Sequence, residues 1–291
     1  MTPLNVHATR GIVIFVSAWF IIPIMDGGAK FLSEMGYPVL LIVWGRFFFN
    51  LMLLVPVAAV TRRNIFRPPP DTALQVIRAI TMICATVLFF QGLKTLPLAD
   101  ALATYFIYPL IVTALAPVML GETPGLRRRL AVGVGFAGSL LVIQPASSQM
   151  NEGTPYVLIA AVCFAIYNLL TRKLSGRGDA WQTLAFQMLV GTVVMSPVML
   201  FVWTPISLQA SAVMLMMAAA SAVGHYLIIR AYDYTPASVL APFSYFEIVS
   251  ATLIGFFVFG DFPTLTTWAG VAIIVSSGIY ISLRERQRAK G

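Results

Sequence analysis

A few ionisable residues stand inside long apolar runs, where a charge is costly and its presence points to a cavity or a partner. Glu247 is the clearest. It lies in the run 238–259, about nine residues and so ~13 Å from its start, near the middle of a bilayer. A carboxylate at that depth can bind a substrate amine or carry a proton; otherwise it fastens helices together. Asp26 and Arg46 also stand within apolar runs, at similar depth. They could form a buried ion pair, with Lys30 as a competing partner nearer the surface. Arg46 reads as structural, whereas Asp26 stays open between packing and binding. Tyr105 and Tyr108 are three residues apart, on one helical face with Thr104. Aromatic rings with polar tips suit a mostly apolar pocket with few hydrogen bonds, or plain helix packing. Trp19 lies two turns before Asp26 and shares its face. His225, with Tyr232 seven residues on, could relay a proton, but packing is the commoner role for a lone buried His.

What must position these groups follows from composition. The 291-residue chain is 59% hydrophobic and only 10% charged, against roughly a quarter charged in soluble domains. No water-soluble fold of this length hides so much apolar surface. The net charge of +8 does not indicate nucleic acid, because the positive residues sit in short loops between apolar runs. Cys84 and Cys163 lie inside such runs and read as packing residues. A glycine-rich phosphate loop, a metal-binding histidine pair and a nucleophile elbow are all missing from the sequence. The expectation is therefore a protein that is not an enzyme, with no cofactor and no metal.

Ten spans are expected, all α-helical: 11–32, 39–60, 72–93, 98–120, 129–143, 155–171, 182–203, 210–231, 238–259 and 265–283. Each is near the ~20 residues needed to cross ~30 Å of hydrocarbon, the fifth and sixth being short. With both termini on the cytoplasmic side, sixteen of the nineteen Lys and Arg residues fall on that side and two, Lys30 and Lys94, opposite. That asymmetry sets the orientation in the membrane.

The chain also repeats itself. The run from Leu96 to Leu126 aligns with Thr235 to Leu265 without a gap: Pro97 falls on Pro236, Gly121 on Gly260 and Glu122 on Asp261, an offset of 139 residues. Tyr105 and Tyr108 then overlie Ser244 and Glu247, with Phe243 on the same face. Further back the offset drifts, and Asp26 overlies Asn168. The chain divides into repeats at 10–144 and 155–283, a connecting loop at 145–154 and a basic tail at 284–291. Five spans per repeat is an odd number, so the second repeat enters the membrane inverted. Inverted pairs rock about a shared midplane site to give alternating access.

These motifs resemble the drug/metabolite transporter superfamily, and within it the EamA-type proteins with ten helices. The resemblance rests on Leu96-Pro97-Leu98-Ala99-Asp100-Ala101, Tyr108-Pro109-Leu110, Leu120-Gly121-Glu122, then Gly133, Gly135 and Gly138. In the second repeat it rests on Glu247 and Phe259-Gly260-Asp261. The chain departs from the pattern at Ile248, where the family often has Pro after Glu, and at Asp261 in place of Glu. The resemblance implies a carrier of small organic solutes. It also implies a central cavity lined by the first, third, fourth, sixth, eighth and ninth spans, with the fifth and tenth peripheral.

The expected function is a secondary transporter, acting as a monomer or homodimer, with protons as a possible coupling ion. The aromatic, weakly charged cavity favours neutral or aromatic solutes, and the resemblance, whose bacterial members are often exporters, implies export of amino acids or related compounds. Uptake of a vitamin or nucleoside-like metabolite is the alternative on the same fold. A membrane enzyme acting on lipid-linked substrates would need acid/base or metal residues clustered at one interface, which the sequence does not offer. The expected site comprises Glu247, Tyr105, Tyr108, Phe243, Ser244, Trp19, Asp26, Asn168 and His225.

Overall fold

The computed structural model describes residues 5–61, 67–96, 98–122, 125–143, 152–254 and 265–288. Within these it is all helical, the arrangement that satisfies every backbone group inside its own segment when lipid is the solvent. The first repeat contributes α1 (Asn5–Glu34), α2 (Val39–Thr61), α3 (Thr72–Gly92), α4 (Leu98–Tyr105), α5 (Tyr108–Leu120) and α6 (Leu126–Ile143). The second contributes α7 (Thr154–Lys173), α8 (Ala180–Met195), α9 (Met199–Val202), α10 (Leu208–Tyr234), α11 (Ala237–Leu240), α12 (Phe246–Ile254) and α13 (Leu265–Arg288). Six helices among the described residues are long and apolar enough to cross a membrane unaided. The connecting loop around 144–151, the pair Gly260 and Asp261, and Arg62 and Arg63 lie outside the described residues.

The fourth and ninth spans, expected to be continuous, are broken. Between α4 and α5 the chain turns at Phe106 and Ile107. Pro109 in the first turn of α5 has no N–H to offer the carbonyl of Tyr105, so the α ladder cannot run through. In the second repeat α11 gives way to a 3₁₀ turn, Ala241–Tyr245, which contains Pro242, before α12 resumes. The seventh span is interrupted likewise by a 3₁₀ turn at Ser196–Val198. The sixth, expected to be short, is a full-length helix of 20 residues.

The breaks meet. Phe106 and Tyr245 are equivalent under the 139-residue offset, and their ring centroids are 5.6 Å apart. The Tyr245 hydroxyl donates to the Phe106 carbonyl at 3.4 Å, giving a partner to a backbone group that the broken ladder frees. A residue that touches its own equivalent lies on the axis relating the two repeats. The packing obeys the same exchange. α1 lies along α10 and α3 along α7; α2 meets α10 as α8 meets α3; α1 meets α12 as α7 meets α5; and the equivalents α2 with α8, and α6 with α13, pair across the axis. The fold is thus two five-span repeats of opposite orientation. Close approach at the axis depends on Gly135, where a Cβ would stand 2.4 Å from the Tyr245 ring.

Candidate functional site

A narrow cavity lies between the repeats. Its walls come from α1 (Trp19, Ile22, Met25, Asp26), α2 (Arg46), α3 (Met82, Ala85, Thr86, Phe89, Phe90), α4 (Tyr105), α7 (Phe164), α10 (His225) and α12 (Glu247). These are the first, third, fourth, sixth, eighth and ninth spans implied by the resemblance, plus Arg46 from the second. Five of the nine expected site residues therefore share one space: Trp19, Asp26, Tyr105, His225 and Glu247. The broken ninth span brings Glu247 to the first turn of α12.

The apolar wall is aromatic. Tyr105 packs on Phe89 at 4.7 Å between centroids, on Phe164 at 5.4 Å and on Tyr108 at 5.4 Å. Trp19 meets Phe164 edge-on at 6.3 Å. Tyr108 stands behind this layer, edge-on to Phe164 at 4.9 Å and tilted against Trp19 at 6.3 Å, so it braces the wall rather than lining it. Tilted and edge-on rings of this kind present faces and edges against which a further planar ring can pack.

The polar wall has two parts. Arg46 is fully buried and satisfied: Nε donates to Ser221 Oγ at 3.1 Å, Nη1 to Thr86 Oγ1 at 2.6 Å, and Nη2 meets His225 Nε2 at 3.0 Å. A guanidinium only donates, so His225 Nε2 accepts and Nδ1 carries the hydrogen given to the Ser221 carbonyl at 3.1 Å. The Asp26–Arg46 ion pair expected from depth is not formed; hydroxyls and the imidazole take the guanidinium instead. Lys30 is turned to Glu34 at 3.8 Å and is not the partner of Asp26 either. Two carboxylates are thereby left facing the cavity. Asp26 is 6% exposed and Glu247 3%, and Glu247 Oε2 has no protein hydrogen-bond partner. Buried carboxylates that form no salt bridge are the groups a cationic ligand would engage.

Three expected residues lie elsewhere. Asn168 accepts from the Tyr232 hydroxyl at 2.8 Å and donates to the Phe164 carbonyl at 2.8 Å, so it is committed to packing. Phe243 and Ser244 are buried in the 3₁₀ turn before α12, Phe243 stacking on Phe246 at 6.3 Å. The sequence reading overlooked Phe164, Thr86, Phe89 and Phe90. Phe164 was within reach: under the drifted offset that pairs Asp26 with Asn168 it overlies Ile22, and both line the cavity.

The two ends of the cavity differ. On the face where α1 begins, the repeats are stitched together. Glu122 accepts from Arg172 Nε at 3.3 Å and from the Ala237 N–H at 3.1 Å. Within the second repeat, Arg172 Nη1 and Ser175 Oγ both donate to the Tyr232 carbonyl, and the Gly176 N–H donates to Asp233 at 3.1 Å. Towards the opposite face a larger hollow is lined by Lys30, Ser33, Glu34, Leu93 and Lys94, and among the described residues Phe90 alone borders both spaces.

Comparison with known proteins agrees with this architecture. The chain is 25% identical over 243 residues to an S-adenosylmethionine uptake transporter of Rickettsia prowazekii, covering 83% of this chain and 82% of that protein. It is 23% identical over 287 residues to a riboflavin transporter of Vibrio cholerae, covering 98% and 96%. A solved crystal structure superposes with a TM-score of 0.79 over 97% of this chain and 99% of that one, at 14% identity, which speaks to the fold alone. The description "EamA-like transporter family" matches residues 9–144 and again 152–283. With both repeats matched, this multi-pass membrane chain belongs to the EamA-like family of small-metabolite transporters.

Proposed function

We propose that this protein takes up a nucleoside-like or vitamin-like metabolite by alternating access. The planar ring of the solute packs against Trp19, Tyr105 and Phe164, and a cationic group sits against Glu247 and Asp26. The observation that carries this reading is the pair of buried carboxylates, left without a salt-bridge partner beside an aromatic wall. The named relatives support uptake of a ring-bearing solute over export of amino acids. The carboxylates favour a cation such as the sulfonium of S-adenosylmethionine over neutral riboflavin. In this reading the protein sits in the bacterial inner membrane with both termini cytoplasmic. The Glu122–Arg172 side is then the cytoplasmic gate, closed here, and the hollow beside Phe90 is the outer vestibule. Phe90 is the outer gate residue, and Glu247 is where a coupling proton would bind.

Uptake of labelled S-adenosylmethionine and riboflavin into proteoliposomes tests it. Saturable S-adenosylmethionine uptake, inhibited by excess unlabelled compound, is expected. Failure of both compounds to enter or to compete would overturn the reading.

A further inference from the structure

A second guanidinium is buried on the other side of the midplane. Arg78, on α3, is fully buried. Its Nε donates to Gln75 Oε1 at 3.1 Å, its Nη2 to the Thr183 carbonyl at 2.9 Å, and its Cζ stands 5.5 Å over the Tyr167 ring. Nη1 has no protein partner, and the ion pairs among the described residues all involve other cations. One turn beyond Thr183 on α8, Gln187 is fully buried with both amide atoms unpartnered, and so is the Tyr167 hydroxyl. Arg78 Nη1 and Gln187 Nε2 thus lack a fixed acceptor in the region between α3, α7 and α8, where the Tyr167 hydroxyl lies beside the guanidinium. A desolvated guanidinium held by a neutral amide, a carbonyl and an aromatic ring, with no carboxylate against it, is compensated in part, not in full.

Its place in the repeat gives the cluster a meaning. Arg46 lies where α2 of the first repeat meets α10 of the second, seven residues from the start of α2, or ~10 Å in. Arg78 lies at the equivalent contact, α8 with α3, six residues from the start of α3, or ~9 Å in from the opposite face. Side chains join the two: Arg46 bonds His225, whose ring centroid is 6.0 Å from Tyr167, whose ring lies under Arg78. Arg46 has spent its donors on protein groups. Arg78 has not.

We propose that Arg78, Gln187 and Tyr167 form an anion site that takes a carboxylate or phosphate group of the transported solute once the bundle opens to the cytoplasm. The direction of opening rests on the alternating-access reading above; the anion chemistry does not.

The test is thermal unfolding of the purified full-length protein with benzoate, phenyl phosphate or benzyl alcohol. Benzoate, phenyl phosphate or both should stabilise the protein, the stronger of the two naming the preferred anion, while benzyl alcohol should not. Arg78→Gln should weaken the apparent anion affinity by about tenfold or more, the usual scale for losing a charged hydrogen bond. The volume-preserving Tyr167→Phe and Gln187→Met should each weaken it by a smaller factor, and they decide the matter if Arg78→Gln does not fold. Equal stabilisation by benzyl alcohol, no anion effect in the native sequence, or variants that melt lower but keep native anion affinity would overturn the site. Arg78-dependent benzoate binding in a protein that takes up neither S-adenosylmethionine nor riboflavin would sink the uptake reading and leave the site standing.

Discussion

Replacing Glu247 by Gln separates a binding carboxylate from a structural one, because the structure assigns the two roles opposite costs. Oε2 makes no protein hydrogen bond, so removing its charge breaks no fixed contact. The amide keeps the shape of the side chain. Stability should change by less than about 1 kcal/mol, and can rise, since a desolvated charge is removed. Transport should behave otherwise. A buried carboxylate against a substrate cation contributes about 1.5–3 kcal/mol, so uptake efficiency for S-adenosylmethionine should fall about 10- to 150-fold. Any dependence of uptake on external pH that arises at Glu247 should disappear as well. Asn168→Leu provides the contrast. It strands the Tyr232 hydroxyl and removes the bond to the Phe164 carbonyl, which costs about 1–3 kcal/mol, yet it leaves the cavity lining intact. The assay pairs thermal unfolding with proteoliposome uptake. A Glu247→Gln protein that melts several degrees lower while the surviving fraction transports normally would refute the argument, because it would make Glu247 a helix fastener.

Three further outcomes are expected. Gly135→Ala forces a Cβ to within 2.4 Å of the Tyr245 ring at the axis and should cost about 1–3 kcal/mol, as overpacking does; an unchanged melting temperature would show that the repeats are not closely packed there. Glu122→Ala deprives Arg172 and the Ala237 N–H of their shared acceptor, so hydrogen exchange around 232–240 should speed up several-fold, and unaltered protection would remove Glu122 from the gate. Tyr105→Phe should leave uptake near normal, whereas Tyr105→Ala, which opens a gap against Phe89 and Phe164, should raise the KM several-fold at little cost in kcat; equal defects in both variants would mean that the hydroxyl, not the ring, is what matters.

The outline of the fold was legible in the chain because membrane insertion is a local matter. A ~20-residue apolar run crosses lipid whatever its neighbours do, and a gap-free offset of 139 residues survives in the sequence alone. Depth is local too, so Glu247 could be placed near mid-bilayer, and Asp26 level with Arg46, before any packing was known. Helix continuity was less legible. Pro109 and Pro242 signal a possible interruption, but an apolar run reads the same whether or not it bends. Only the meeting of Phe106 with Tyr245 shows that both interruptions lie on the axis.

The sequence by itself determined the solvent of this protein, its ten apolar runs, their duplication and which few ionisable groups would lie in lipid-depth positions. Only the tertiary structure decided how those groups are partnered. Depth allowed Asp26 to neutralise Arg46, yet Ser221, Thr86 and His225 hold the guanidinium from three directions. Asn168, the repeat partner of Asp26, is likewise held by Tyr232 rather than turned to the cavity. Hydrogen-bond partners from different helices, 40 to 179 residues apart in the chain, are set by rotation and crossing of packed helices. Neither quantity leaves a periodic trace in a chain that is apolar on every face.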